Sequence, residues 1–291
     1  DAVFIACLLQ EQGMPVRLVQ TNSGNFYLGD LDEIRYFNRA LDLSQDTHLI
    51  DDERWETAKR CLKREFGHAQ SWEICRNIIL NFEQVYSRKY HSDWTNYLFE
   101  SKLEDFYPVQ GEAIVVSTIH KAKGKEFDNV FLLLTNIESL SDEKKREVYV
   151  AITRAKQNLS IHTNGHYLSN IANGLAEYRI NSNTYPAPQS LCYTLTHRDL
   201  WLDFFIDSHC QAAINTLKSG MSLRLTEKGC TDFSNNEILR FSKKFKDILN
   251  ELIQKDYKLE KASVNFVVYW EKQEDKKEAK IVLPKVVFKK V

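Results

Sequence analysis

Residues 115–127, VVSTIHKAKGKEF, and residues 146–159, REVYVAITRAKQNL, decide how this chain is read. Ala113, Ile114, Val115 and Val116 make a short, apolar, mostly β-branched run. Such a run suits a strand buried on both faces, as in a parallel sheet covered by helices. Residues 130–134, VFLLL, are a second run of the same kind. Between the two lies a polar, basic segment with one glycine, Gly124. Ligands of open α/β sheets bind beyond the carboxyl ends of the strands, where Thr118, His120, Lys121, Lys123 and Lys125 fall. The segment is therefore a natural place for an anionic ligand. Gly124 permits a positive φ or the close approach of a phosphate or sugar, and Glu126 can accept hydrogen bonds from a ribose hydroxyl.

Working outward, Ser141, Asp142 and Glu143 read as a helix start, with a capping hydroxyl and acids at the positive end of the helix dipole. The helix is predicted to run to about residue 157, with Val148, Ile152 and Ala155 on the face against the sheet. Arg154 then sits near a helix end as a fixed guanidinium, and residues 158–163 read as another strand. Taken singly, an arginine on a helix is most often a solvated or ion-paired residue. A lone histidine is most often structural and a lysine-rich turn most often solvated. The order of the segments is what favours a site.

TIHKAKGKEF followed by YVAITRA resembles motifs V and VI of the UvrD/Rep-type superfamily 1 helicases, in their second RecA-like domain. Strand, basic loop, strand, helix and TRA come one after another in the family's order, over about a sixth of the chain. The resemblance implies that Arg154 is an arginine finger reaching the γ-phosphate of ATP, a role worth about a thousandfold or more in turnover. It implies that Glu126 contacts the nucleotide sugar beside Gly124, and that Thr118 and His120, with Lys121 and Lys123, face single-stranded DNA. Two positions depart from the family pattern: Lys125 replaces the leucine of GLEF, and Glu147 replaces an apolar residue of motif VI.

The length of 291 residues allows about two domains. Apolar residues at 43% and charged residues at 27% are ordinary for a globular protein. A net charge of −1 gives no global basic footprint, so nucleic-acid contacts must come from local patches. Six cysteines, at 7, 61, 75, 192, 210 and 230, show neither a CxxC pair nor zinc-type spacing, and read as reduced thiols. His162 and His166 read as surface or loop residues rather than metal ligands. No apolar run approaches the length of a membrane span and no leader is visible, so a cytoplasmic protein without membrane contact is expected.

At the N-terminus, residues 2–12 read as a helix with Ile5, Leu8 and Leu9 buried, ended by Gly13 and continued by a strand at 16–20. GMPVRLV, residues 13–19, is similar to the segment after motif IV in the same helicases. No GxxxxGK[ST] loop occurs, and LIDDE at 49–53 reads as a helix N-terminus rather than an acidic Mg²⁺ site. Residues 31–106 read as polar helices with interleaved aromatics, the buried positions including Trp55, Leu62, Phe66 and Phe82, in the place of the family's helical insertion. NSNTYPAPQS, residues 181–190, reads as a linker. Beyond it a strand at 191–195, a helix at 199–217, a strand at 221–225 and a long helix with Ile238, Phe241, Phe245 and Leu252 on one stripe are predicted. A hairpin comes last, with strands at 263–270 and 280–288. Its lysines, with Tyr269 and Trp270, read either as a strand-binding surface or, preferably, as a solubilising face. The tail faintly resembles the C-terminal extensions of long bacterial helicases that join a RecQ-like front end to a UvrD-like back end.

The expected fold class is α/β: a RecA-like parallel sheet flanked by helices at 1–30 and 107–180, a helical insertion at 31–106, and a C-terminal α+β accessory domain at 191–291. The expected function is that of the C-terminal part of an ATP-dependent DNA helicase. The cofactor implied for the complete enzyme is ATP with Mg²⁺, with nothing bound to, and no turnover by, this piece alone. The implied partners are single-stranded DNA or a duplex–single-strand junction and a missing N-terminal RecA-like domain of the same protein. The alternative is a non-catalytic nucleic-acid-binding or interaction module with a RecA-like fold.

Overall fold

A computed structural model of the chain describes residues 2–19, 27–42, 48–108, 113–134, 141–164, 181–206, 209–274 and 276–291. Its elements begin with α1 (Ala2–Glu11), β1 (Val16–Val19), α2 (Asp32–Ala40), α3 (Asp52–Phe66), α4 (Trp72–Val85) and α5 (His91–Glu100). They continue with β2 (Ile114–Ser117), β3 (Phe127–Leu134), α6 (Asp142–Ile152), β4 (Ala155–Thr163) and β5 (Ser190–Thr194). Then come α7 (Asp203–Ile206), α8 (Cys210–Ile214), β6 (Ser222–Leu225), β7 (Gly229–Thr231) and β8 (Glu237–Arg240). The chain closes with α9 (Lys243–Ile253), β9 (Tyr257–Glu271) and β10 (Glu278–Lys290). Two compact units result, Asp1–Thr21 with Ala113–Ala187 and Asn22–Glu112 with Pro188–Val291.

The first unit holds two separate two-stranded parallel sheets in place of the expected single sheet, an arrangement consistent with the α/β class. Gly13, at φ 78°, ends α1 and turns the chain into β1. β1 runs parallel to β2, with Val16 opposite Ile114 and Val19 opposite Ser117. β3 runs parallel to β4, and α6 is the crossover between them. The Ser141 hydroxyl caps α6 by accepting from the Lys144 amide at 3.3 Å. One face of the β3–β4 pair is covered by α6: Leu132, Leu134, Val148 and Ala151 form the core, with Ile119, Ile152 and Ile161 packed on it.

Three expectations need correction in this unit. The helix stops at Ile152 instead of running to residue 157, and Ala155 opens β4. Its last turn closes when the Thr153 hydroxyl donates to the Val150 carbonyl at 3.0 Å, and pairing with β3 then draws the chain into a strand. The apolar runs are also not buried on both faces: Ile114 is 42% and Phe131 69% exposed. Strand residues alternate between faces, and α6 covers only the Leu132 and Leu134 side. In α1 the fully buried residues are Ala6 and Cys7, while Ile5, Leu8 and Leu9 are half-buried.

The second unit combines helices with a sheet. Phe37, Trp55, Phe82 and Trp94, from α2 to α5, meet with ring centroids 4.9 to 5.7 Å apart. Their buried indole nitrogens are satisfied, Trp55 donating to Glu83 at 2.6 Å and Trp94 to Asn38 at 2.8 Å. Asp51 caps α3 by accepting from the Arg54 amide, as expected of a helix N-terminus. The six-stranded antiparallel sheet has the order β5-β10-β9-β6-β7-β8, and its long β9–β10 hairpin contains both predicted strands. The helical segment and the C-terminal segment, distinct by composition, meet where Leu31 bridges Val268, Lys280 pairs with Asp32 at 2.8 Å and Arg35 with Glu278 at 2.7 Å.

Two predicted helices are replaced in this unit. Residues 199–217 hold the short α7 and α8, because Leu200 bridges Phe241 and the Trp201 amide donates to the Arg240 carbonyl, so the segment starts beside β8. Ile238 and Leu239 lie buried in β8, and the long helix is reduced to α9, which begins where Ser242 caps it by accepting from the Phe245 amide. Tyr269 is engaged within the unit: Arg39 donates to its hydroxyl at 2.8 Å, and Arg35 and Lys280 approach its ring. No helix among the described residues is long and apolar enough to cross a membrane.

Candidate functional site

The basic segment after β2 folds as a series of tight turns. Thr118 precedes a 3₁₀ turn, Ile119–Ala122, in which the Lys121 amide donates to the Thr118 carbonyl at 3.0 Å. Lys123 then bonds back to His120 at 3.4 Å, and Lys125 to Ala122 at 3.1 Å. Gly124 has φ 81°, and a Cβ built there would meet nothing within 4 Å. Glycine is thus required by the backbone conformation, and the space around it is open. Thr118, His120, Lys123, Gly124, Lys125 and Glu126 are exposed, while Lys121 is half-buried.

Arg154 lies against this turn. Its guanidinium donates to the carbonyls of Val150 at 3.0 Å and Lys125 at 3.3 Å, and to the Thr153 hydroxyl at 3.0 Å. The Phe127 amide in turn donates to the Arg154 carbonyl at 2.8 Å. The end of α6, the start of β4 and the exit of the turn are therefore joined around one side chain. Arg154 is half-buried, directed neither into the core nor away from the turn.

Three further contacts define the surroundings. Lys156 pairs with Glu126 at 3.6 Å. Glu147 pairs with Lys144 at 2.6 Å and stands 3.6 Å from His120. The Lys144 ammonium, and after it the His120 ring, holds the Glu147 carboxyl below the usual range against a smaller desolvation effect. His120 and Arg154 are thereby tied to Glu147 and Val150, positions only one helical turn apart, about 4.5 Å along α6. Lys156 escaped the sequence reading because its contact depends on β4 starting at Ala155. Glu147 stood out only as a departure from the motif.

The chemistry is that of an anion-facing turn. Lys121, Lys123 and Lys125 make no ion pair with a described acid, and Arg154 has a charged fork beside them. Glu126, an acceptor next to an open glycine, fits a sugar hydroxyl, and Arg154 fits a phosphate oxygen, so these residues suit part of a nucleotide site. For Mg²⁺ the fit is absent: no group of three His, Cys, Asp or Glu among the described residues is placed to hold a metal ion. His162 stacks against Phe131 with ring centroids 6.3 Å apart, and His166 lies outside the described residues. None of the six cysteines forms a disulfide.

No curated protein matches the chain. Residues 74–166 match the family model of the UvrD-like helicase C-terminal domain, a span that contains the whole turn, α6 and Arg154. That span, about a third of the chain, is similar to the C-terminal domain of UvrD-like helicases, a family within superfamily 1.

Proposed function

We propose that the chain forms the second, RecA-like half of an ATP-driven helicase motor whose phosphate-binding half lies outside these residues. ATP binds between the halves, with Mg²⁺ held by the other half. Arg154 supplies the arginine finger, and Glu126 with Gly124 receives the sugar. Thr118, His120, Lys121 and Lys123 hold single-stranded DNA. Closure on ATP and reopening after hydrolysis then shift the strand contacts and drive directional steps.

The observation that carries this reading is the hydrogen bond from Arg154 to the Lys125 carbonyl, which puts a charged fork at the lip of the cationic turn. A guanidinium is always charged and its donors match phosphate oxygens, so removing it from a phosphoryl-transfer site costs about a thousandfold or more in rate. The test is made in the full-length protein. Strand-stimulated ATP turnover of Arg154→Ala is expected to collapse while nucleotide binding is kept. Turnover near that of the unsubstituted protein removes the assignment. A reading frame lacking a phosphate-binding loop outside these residues favours the non-catalytic module instead.

A further inference from the structure

The second unit holds a cleft of about 460 Å³ beside β8, lined by Trp201, Phe204 and Arg240 with Asp203, His209 and Asn236 at hand. That volume accommodates one ring system with its sugar. The guanidinium carbon of Arg240 lies 5.4 Å from the Trp201 ring centroid and 4.9 Å from that of Phe204. Its Nε and Nη2 donate to the two carboxylate oxygens of Glu237 at 2.7 and 2.6 Å. The Trp201 amide donates to the Arg240 carbonyl at 2.9 Å. The indole is thus held by its backbone and against a fixed cation, yet the residue is 48% exposed. The other four tryptophans are buried or half-buried.

The charges of the cleft cancel. Arg240 is matched by Glu237, and Asp203 pairs with Lys272 at 2.8 Å. A bare phosphate or a lone cation finds no uncompensated partner there. What remains is the exposed indole of Trp201 with hydrogen-bonding groups among the other lining residues. The Asn236 amide nitrogen is held on Asp232 at 2.8 Å, which aims the side chain and leaves its oxygen as an acceptor. The exposed ring of His209 is a second polar group.

We propose that this cleft takes a single unpaired nucleobase, stacked on Trp201 with its edge toward Asn236. The same chemistry is offered by a single strand and by a free nucleoside. The strand is the expected source, and on that point alone the proposal rests on the strand-handling function proposed above.

The test uses the 291-residue chain with oligo(dT), an abasic strand of the same length, and thymidine. Oligo(dT) is expected to quench the tryptophan emission, and the abasic strand to leave it unchanged. By fluorescence anisotropy, Trp201→Ala should bind oligo(dT) about tenfold more weakly, the scale of one stacked base. Trp201→Phe should retain the affinity but lose the quenching, which separates loss of stacking from loss of fold. Quenching by thymidine alone at matching concentration identifies a free nucleoside as the source and leaves the ligand class standing. Equal quenching by the abasic strand, unchanged affinity in Trp201→Ala, or no quenching by strand or thymidine overturns the proposal. In those cases a strand that still binds, and is released by His120→Ala, leaves the proposed motor function intact. Thymidine quenching without any strand binding does the reverse.

Discussion

The Arg154 guanidinium reaches the main-chain oxygen of Lys125 at 3.3 Å, fastening the end of one helix to the exit of the lysine-rich turn. Three acceptors share that fork, namely the carbonyls of Val150 and Lys125 and the Thr153 hydroxyl. Lysine keeps the charge but offers a point donor in place of a planar fork. Arg154→Lys is therefore expected to lose most of the ATP turnover of the full-length protein, although the net charge is unchanged. It should also destabilise the chain by about 1 kcal/mol through lost hydrogen bonds, read by urea denaturation. Retained turnover in this variant would show that charge alone suffices at the position.

Gly124 should tolerate substitution poorly for a purely conformational reason. With φ at 81° and open space within 4 Å of where a Cβ would stand, Gly124→Ala meets strain but no clash. A cost of about 1 to 2 kcal/mol, the left-handed penalty of a residue with a Cβ, is expected in urea denaturation. A neutral effect would mean that the turn relaxes to negative φ.

The cationic turn should bind single strands in a salt-dependent way. Each phosphate neutralised contributes a slope of about 0.7 to the logarithmic salt dependence for single-stranded nucleic acid. Lys121→Ala and Lys123→Ala are each expected to reduce the measured slope by about that amount, whatever the base sequence. An unchanged slope in both variants would remove these lysines from the strand path.

Glu33 makes stability depend on pH. It is 2% exposed, accepts from the Ser71 hydroxyl through one oxygen, and its other oxygen has no partner. Burial raises its pKa from the ordinary value of 4.5, with the Ser71 bond opposing. The folded state therefore holds the proton more tightly than the unfolded one. Its stabilising contribution is complete below 4.5 and is lost as pH rises through the folded value. Relative to the unsubstituted chain, Glu33→Gln should gain thermal stability as pH rises from acid to neutral. Parallel Tm profiles for the two proteins would contradict the assignment.

The aromatic cluster of the helical segment should carry a large share of the second unit's stability. Trp55 is fully buried, touches Phe37, Phe82 and Trp94, and donates to Glu83. Trp55→Ala is expected to cost about 3 to 5 kcal/mol, the range for removing a large aromatic from a core, as measured by denaturant unfolding. Because Leu31 and Asp32 join the helices to the β9–β10 hairpin, helical and sheet signals should fall together. A loss confined to the helices would show that the two segments unfold independently.

From the amino-acid order alone came the two motifs, the strands around the basic turn, the capped start of α6 and the hairpin at the C-terminus. These are local features: β-branched runs, a capping serine beside acids and a lone glycine act within a few residues, so their signals survive without neighbours. Tertiary contacts decided the rest. Pairing with β3 turned Ala155 from the end of a helical stripe into the first residue of β4, and pairing with β7 turned Ile238 and Leu239 from helix into strand. A run of apolar residues fits a buried helix or a buried strand equally well, and only a partner strand with free amides and carbonyls breaks the tie. The same holds for Arg154. Its motif marks it in the sequence, but its reach to Lys125 exists because β3 and β4 pair in parallel beside α6.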